Sequence, residues 1–178
     1  MARPEVFFDH YESPIGWIEI QGSSAGVSAL NFVEAARNAG SARRNEAPLP
    51  APMAECLAQI DEYFRGRRKS FSVKLDLHGT DFQKKVWAKL LAVEFGKTTT
   101  YKTLAVAVGN PASARAVGGA NHRNPVSIIV PCHRVVGSDG RLTGYGGGLW
   151  RKDWLLRRER HDRLLIDNPT GNRDKIGT

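Results

Sequence analysis

The sequence predicts an α/β protein of the segregated (α+β) kind. An N-terminal antiparallel sheet lobe carries one helix, and a mostly helical C-terminal lobe contains a helix-turn-helix. Three observations point there. The opening of the chain alternates apolar and polar residues between turns marked by Gly, Pro and Ser. After Thr80 the apolar residues change to spacings of three and four. Within that region two short helical segments are joined by a tight glycine turn.

In the first lobe, Ser13-Pro14-Ile15-Gly16 and Gly22-Ser23-Ser24-Ala25-Gly26 interrupt the alternation. They leave strands over about 6–12, 17–21 and 27–33, which pair as an antiparallel meander. Residues 35–52 mix Ala, Arg, Asn and Pro without periodicity and read as a loop. Met53, Cys56, Leu57, Ile60, Tyr63 and Phe64 then share one stripe of a helix over about 51–65, stopped by Gly66. On that stripe Cys56 reads as a small core residue. Phe71, Val73, Leu75 and Leu77 alternate as a further strand, and His78-Gly79 forms the joint to the second lobe.

Thr80 and Gln83 fit a capping box for a helix to about Val93, with Phe82, Val86, Trp87, Leu90 and Leu91 on its apolar face. A helix over about 102–108 ends at Gly109. Asn110 caps the next, which has Pro111 at its first position and runs to about Asn121. The face of this second helix is small: Ala112, Ser113, Ala114, Ala116, Gly118, Gly119 and Ala120, with Arg115 the long side chain among them. Such a face permits close approach either to the minor groove of DNA, with Arg115 inserted, or to a neighbouring element, with Arg115 in a salt bridge.

Ile128, Ile129 and Val130 read as a buried strand that Pro131 terminates, delivering Cys132 to the start of a turn or short helix. A turn at 137–140 and the glycine-rich stretch 143–148 follow. The latter lacks the lysine and hydroxyl of a phosphate loop. The last helix, about 149–160, is expected to turn Leu149, Trp150, Trp154 and Leu155 inward and Arg151, Lys152, Arg157, Arg158 and Arg160 outward. The resulting division is a scaffold lobe 1–79, a second lobe 80–165 and a disordered tail 166–178.

Composition narrows the function. With 41% hydrophobic and 25% charged residues, no run long enough to span a bilayer and no secretion signal, the expectation is a cytoplasmic monomer without a membrane partner. Two cysteines cannot form a disulfide framework or a cysteine-rich zinc site. The net charge of +8 is uneven: residues 1–79 hold 9 Lys+Arg against 10 Asp+Glu, and residues 80–178 hold 17 against 8. A basic half is the footprint of a polyanion partner such as nucleic acid.

Cys132 followed by His133 suggests a nucleophile with its base. Backbone N–H groups at the start of a short helix favour thiolate. Neighbouring residues point apart on a strand, so His133 must act from a turn or through a water. Glu159, on the last helix, is the candidate to orient the imidazole. The same residues also suit a half-buried cysteine beside a surface histidine.

Pro131-Cys132-His133-Arg134-Val135, with Asn124-Pro125 before it and Gly144-Tyr145 after it, resembles the signature of the O6-alkylguanine-DNA alkyltransferases, also called methylated-DNA-protein-cysteine methyltransferases. Thr80-Asp81-Phe82-Gln83, Thr100-Tyr101 and Ala114-Arg115-Ala116-Val117-Gly118-Gly119-Ala120 support the resemblance, which is strong over about 80–159. It implies a ribonuclease H-like first lobe and a single-turnover DNA repair enzyme needing no cofactor. The partner would be double-stranded DNA containing O6-alkylguanine.

By this resemblance Cys132 is the alkyl acceptor, His133 its base through a water, Glu159 the support of the imidazole, and Asn124 the residue that positions the turn. Arg115 fills the space of the flipped nucleotide, with Ala114, Ala116, Gly118 and Gly119 against the DNA. Tyr101 steers the phosphate and the base. Tyr145 and the Gly146 backbone wall the pocket, and the Val135 carbonyl reads the guanine amino group. Gly146 departs from the Ser or Ala of many members. Animal members resemble this chain but bind zinc in the first lobe. Here that lobe offers His10, Cys56 and His78, and no metal is expected. The chief rival is a related module that binds alkylated bases without removing the alkyl group. Such proteins replace the cysteine, and Cys132 is present.

Overall fold

Two turns organise the first lobe. Ser13 donates its hydroxyl to the Gly16 carbonyl at 2.6 Å and accepts the Ile15 N–H at 3.2 Å, and Gly16 takes φ 111°, a left-handed value suited to glycine. A second turn before Gly26 (φ 150°) closes the next hairpin. The result is an antiparallel meander of β1 (Phe7–Ser13), β2 (Gly16–Ser23) and β3 (Gly26–Val33), in the order β1-β2-β3. The computed structural model describes residues 5–34 and 48–167, the side chains of 162–167 excepted. Most of the expected loop 35–52 and the tail beyond Asp167 lie outside the described residues.

Helix α1 (Ala51–Phe64) covers one face of the sheet. Its stripe of Met53, Cys56, Ile60, Tyr63 and Phe64 is buried against Ile18, Ile20 and Leu30. Each large apolar side chain so buried contributes roughly 1.5–3 kcal/mol. The alternation at Phe71–Leu77 yields no strand. It makes one parallel bridge, Val27 to Leu75, with Val27 N–H on the Lys74 carbonyl and Asp76 N–H on the Val27 carbonyl, both 2.9 Å. The rest of that edge of β3 is taken from the other lobe. Leu30 N–H bonds to the Pro125 carbonyl, and Ser127 N–H to the Leu30 carbonyl, both at 2.8 Å.

The second lobe begins at α2 (Asp81–Leu91), with the Thr80/Gln83 capping box formed in both directions. A two-residue β4 (Thr99–Thr100) leads into α3 (Tyr101–Ala107), capped by the Thr100 hydroxyl. After Gly109 (φ 86°), Asn110 accepts the Ala112 N–H, Pro111–Ser113 form a 3-10 turn, and α4 runs Ala114–His122. The helix-turn-helix is therefore present, its second helix opening with a tighter turn. Trp87 anchors α2 to α4 through its indole N–H on the Ala120 carbonyl at 2.9 Å.

The expected strand at Ile128–Val130 is a turn. All three side chains are buried, but Ile128 has φ 71°, and Val130 N–H returns to the Val126 carbonyl at 3.0 Å. Burial, not extension, accounts for the β-branched run, because β3 has already taken Val126 as its partner at this edge. A 3-10 turn follows (Cys132–Arg134), then β5 (Val135–Val136), parallel to β4. The chain ends its described part in α5 (Leu149–Asp167), which extends past the expected end at about 160 and includes the first two residues of the expected tail. None of the described helices is long and apolar enough to cross a membrane.

The orientation of α5 also differs from expectation. Leu149 and Trp150 are exposed, whereas Lys152 has no exposed area. The Arg151 guanidinium lies 4.8 Å from the Phe32 ring and 4.4 Å from the Trp150 ring, and it donates to the carbonyls of Ile15 and Gly147. Arg158 donates to the carbonyls of Tyr63 and Phe64 at the end of α1. These cations reach inward because helix and hairpin ends present carbonyls that need donors.

Candidate active site

The turn holding Cys132 is built by Asn124. Its amide donates to the Val130 carbonyl at 2.7 Å and its oxygen accepts the Val126 N–H at 3.1 Å, which pins both ends of the Val126–Val130 turn. Pro131 then sets the 3-10 turn, and Cys132, His133 and Arg134 are all buried. The left-handed Ile128 costs of order 1–3 kcal/mol, and the Asn124 bonds with complete burial of the isoleucine offset it.

Glu159 accepts five hydrogen bonds among the described residues. His133 Nε2 lies 2.9 Å from Oε1, where Tyr63 Oη (2.9 Å) and Arg134 Nη2 (3.0 Å) also donate. Arg134 Nε (2.8 Å) and the Gly96 N–H (3.2 Å) donate to Oε2. Burial alone would raise the Glu159 carboxyl, but His133 and Arg134 outweigh it and hold the group well below the usual carboxylate range. An ionised carboxylate only accepts, so His133 Nε2 carries the hydrogen of that bond. Burial also pushes the His133 pKa down, with Glu159 opposing, so the ring is neutral near pH 7. Its Nδ1 is then a lone pair, buried and without a partner among the described residues. A neutral imidazole oriented by a carboxylate and left with one free basic nitrogen can accept a proton as a general base does.

Cys132 is 4% exposed. Burial raises its thiol pKa, and the Asn124 side chain, the Lys152 ammonium and the N–H groups of Cys132 and His133 act against that rise. Cys56 contrasts with it. That thiol lies in the core of the first lobe, and burial pushes it up to about 12.

Cys132 opens into a cavity of about 110 Å³. Asn121, His122, Asn124 and Ser127 form one side, Gly144 to Gly147 with Tyr145 form another, and Asn31 and Phe32 of β3 close it from the first lobe. Gly146 is exposed, and an added Cβ would meet nothing within 4 Å. A Cβ on Gly147 would stand 2.8 Å from Phe32 and 2.9 Å from Tyr145, so this position needs glycine for close approach. Val135 lies in β5 and Tyr101 beside Gly118, its hydroxyl donating to the Thr143 carbonyl at 3.2 Å; neither lines the cavity.

On α4, Val117, Ala120 and Asn121 face inward, while Arg115 and Ala116 are exposed and Ala114, Gly118 and Gly119 are half-buried. Arg115 makes no hydrogen bond or ion pair among the described residues, which removes the salt-bridge reading. Cys132, His133, Asn124 and Glu159 thus converge, with Tyr145 and Gly146 at the cavity, and Arg115 stands apart on the surface.

Sequence reasoning passed over Arg134, Tyr63, Lys152, Asn121 and Phe32. One signal was available for Lys152. It shares a face of α5 with Leu155 and Glu159 at spacings of three and four, and all three are fully buried.

Residues 6–77 match the model of the 6-O-methylguanine DNA methyltransferase ribonuclease-like domain, and residues 81–161 that of the DNA binding domain of the same proteins. A methylated-DNA–protein-cysteine methyltransferase of Methanosarcina barkeri is 43% identical over 88% of this chain and 99% of its own length. One from Mycobacterium leprae is 45% identical over 86% of this chain and 92% of its own. The crystal structure of Mycobacterium tuberculosis O6-methylguanine methyltransferase superposes with a TM-score of 0.77 at 42% identity, over 89% of this chain and 94% of that one. The same bacterium's protein in complex with DNA gives 0.76 at 41% identity, over 90% and 99%. With both of its parts matched in order and relatives above 40% identity over most of its length, the chain belongs to the 6-O-methylguanine DNA methyltransferase family.

Proposed function

We propose that this protein repairs double-stranded DNA by moving the alkyl group of O6-alkylguanine, and of O4-alkylthymine, onto Cys132 Sγ. The observation that carries the reading is the free Nδ1 of a neutral His133 whose Nε2–H is spent on Glu159. Through a water, Nδ1 takes the thiol proton, and Glu159 stabilises the imidazolium that results. Sγ attacks the alkyl carbon in line with the C–O6 bond. As S–C forms, C–O6 breaks, and the guanine leaves with the bonding pair and is reprotonated. The product is a thioether, which does not revert, so each chain reacts once.

The target carbon is inaccessible in stacked DNA, so the nucleotide must turn out of the helix. In this reading Arg115, exposed on the small face of α4, occupies the vacated space from the minor groove. Ala114, Ala116, Gly118 and Gly119 let the backbone approach the DNA. Tyr101 steers the adjacent phosphate, Tyr145 and Gly146 wall the base, and the Val135 carbonyl accepts from the guanine amino group. The protein works as a monomer in the cytoplasm. The test is stoichiometry: O6-methylguanine lost from a duplex is expected to equal the protein added, with no second turnover. Loss continuing beyond one equivalent would exclude a consumed acceptor.

A further inference from the structure

Two asparagines line the cavity beside Cys132, and they differ in what their amides have left to bond. Asn124 uses both ends of its amide on the Val126–Val130 turn. Asn121, on the inner face of α4 and 4% exposed, uses one. Its Nδ2 donates to the Cys132 carbonyl in a long bond of 3.5 Å, and since a carbonyl only accepts, that contact fixes which end of the amide faces Cys132. The other end, Oδ1, is buried and has no partner among the described residues. A buried acceptor without a donor is costly, and one kept beside a reactive cysteine is a place for a ligand's donor. Other polar side chains of the wall do not make this demand. Asn31 and His122 are exposed, and the hydroxyls of Ser127 and Tyr145 rotate to donate or to accept. His133 Nδ1, the other buried acceptor without a partner, is the nitrogen assigned above to the thiol proton.

We propose that Asn121 is a specificity-determining residue, whose Oδ1 accepts a hydrogen from the 2-amino group of the flipped guanine and so favours O6-alkylguanine over O4-alkylthymine. The proposal rests on the cavity receiving the alkylated base. Alkylation at O6 removes the N1 hydrogen, so N1, N3, N7 and O6 all accept, and the 2-amino group is the donor that remains on the base. O4-alkylthymine has lost its N3 hydrogen and has no donor at all. The acceptor on Asn121 is therefore met by guanine and left unpaired by thymine, and a buried polar group left unpaired in the complex is a strong means of rejection. Val135, whose carbonyl is the acceptor that the family resemblance suggests, does not line the cavity, whereas Asn121 does. The amino group has two hydrogens, so the two contacts are compatible. Asn121 also joins recognition to the reacting group, because the amide that reads the base is the one whose Nδ2 touches the Cys132 carbonyl.

The test uses the full chain and three duplexes that differ in one base: O6-methylguanine, O6-methylhypoxanthine, which is the same base without the 2-amino group, and O4-methylthymine. Single-turnover rate constants for methyl transfer are measured below saturation for the parent and for Asn121→Leu, which keeps the size of the side chain and removes its acceptor. Each variant is compared with the parent on the same duplex, which cancels the cost of extruding that base. On O6-methylguanine, Asn121→Leu is expected to lose about tenfold. On the other two it is expected to match or exceed the parent, because no acceptor is then left unpaired. Should the leucine variant not fold, as its melting midpoint reports, Asn121→Ser carries the same expectation, with the acceptor drawn out of reach. An equal loss on all three duplexes would overturn the proposal and assign Asn121 to holding the Cys132 carbonyl. No loss on any of them would overturn it as well. Absence of transfer by the parent from every duplex would sink the alkyl-acceptor reading and this proposal with it, so the two failures are distinct.

Discussion

Tyr63 and Glu159, 96 positions apart in sequence and in different lobes, share a 2.9 Å hydrogen bond between side chains that are both fully buried. The oxygen that Tyr63 donates to is the one His133 also uses. The first lobe therefore supplies part of the hydrogen-bonded support behind His133, besides the Phe32 and Asn31 walls of the cavity.

Tyr63→Phe keeps the ring among Phe64, Phe71 and Phe95 and removes only the donor. Loss of a hydrogen bond to a buried carboxylate is expected to destabilise the protein by about 1.5–3 kcal/mol. Urea denaturation at neutral pH measures it, and a change within error would show that the bond contributes nothing net.

Glu159→Gln removes the charge that pairs with Arg134 and that stabilises protonated His133. The transfer rate is expected to fall about 100-fold or more, and stability by about 3–5 kcal/mol because Arg134 is left buried without its partner. Single-turnover kinetics and urea denaturation read the two losses separately.

Acid should unfold the parent in two stages, and the sign follows from the directions of the shifts. His133 is held below the ordinary imidazole value of 6.5, so the unfolded chain takes up its proton first, and stability declines as pH falls below that value. Glu159 is likewise depressed from 4.5, so its contribution is complete above that value and is lost as pH falls through the lower folded value. Urea midpoints measured from pH 8 downward are expected to hold steady, then fall, then fall more steeply. Midpoints that rise on acidification would contradict both shifts.

Arg115→Ala is expected to impair repair of O6-methylguanine in duplex DNA far more than reaction with free O6-benzylguanine, since only the duplex needs a base displaced. Equal losses would assign Arg115 to folding. Duplex binding by the parent is expected to weaken steeply with salt, by a logarithmic slope of about 0.9 per phosphate contacted. A flat dependence would count against phosphate contacts.

Much of this was legible in the sequence where a local signal had a single physical outcome. The Thr80/Gln83 capping box, the Asn110-Pro111 helix start and the β1–β3 meander each rest on turn or cap chemistry that neighbours alone determine. The contact of His133 with Glu159 was also anticipated from residue types. What failed depended on competition between distant elements. Ile128–Val130 and Phe71–Leu77 both carry strand-like residues, yet the second meets β3 by a single bridge at Leu75, and the first makes none, because the bridge there falls at Val126 and the backbone then turns away. Lys152 and Arg151 were assigned to solvent by charge. The carbonyls that draw them inward come from two distant segments, Ile15 in the first hairpin turn and Thr143 and Gly147 in the glycine-rich stretch.

The central claim is that Cys132 is the acceptor. The most direct measurement is the mass of the peptide containing Cys132 after incubation with a duplex carrying O6-methylguanine. The account predicts one hydrogen replaced by one methyl on that cysteine, with the Cys56 peptide unchanged because its thiol is buried and fully protonated. An unmodified Cys132 peptide from a reaction in which the duplex has lost its methyl group would contradict it.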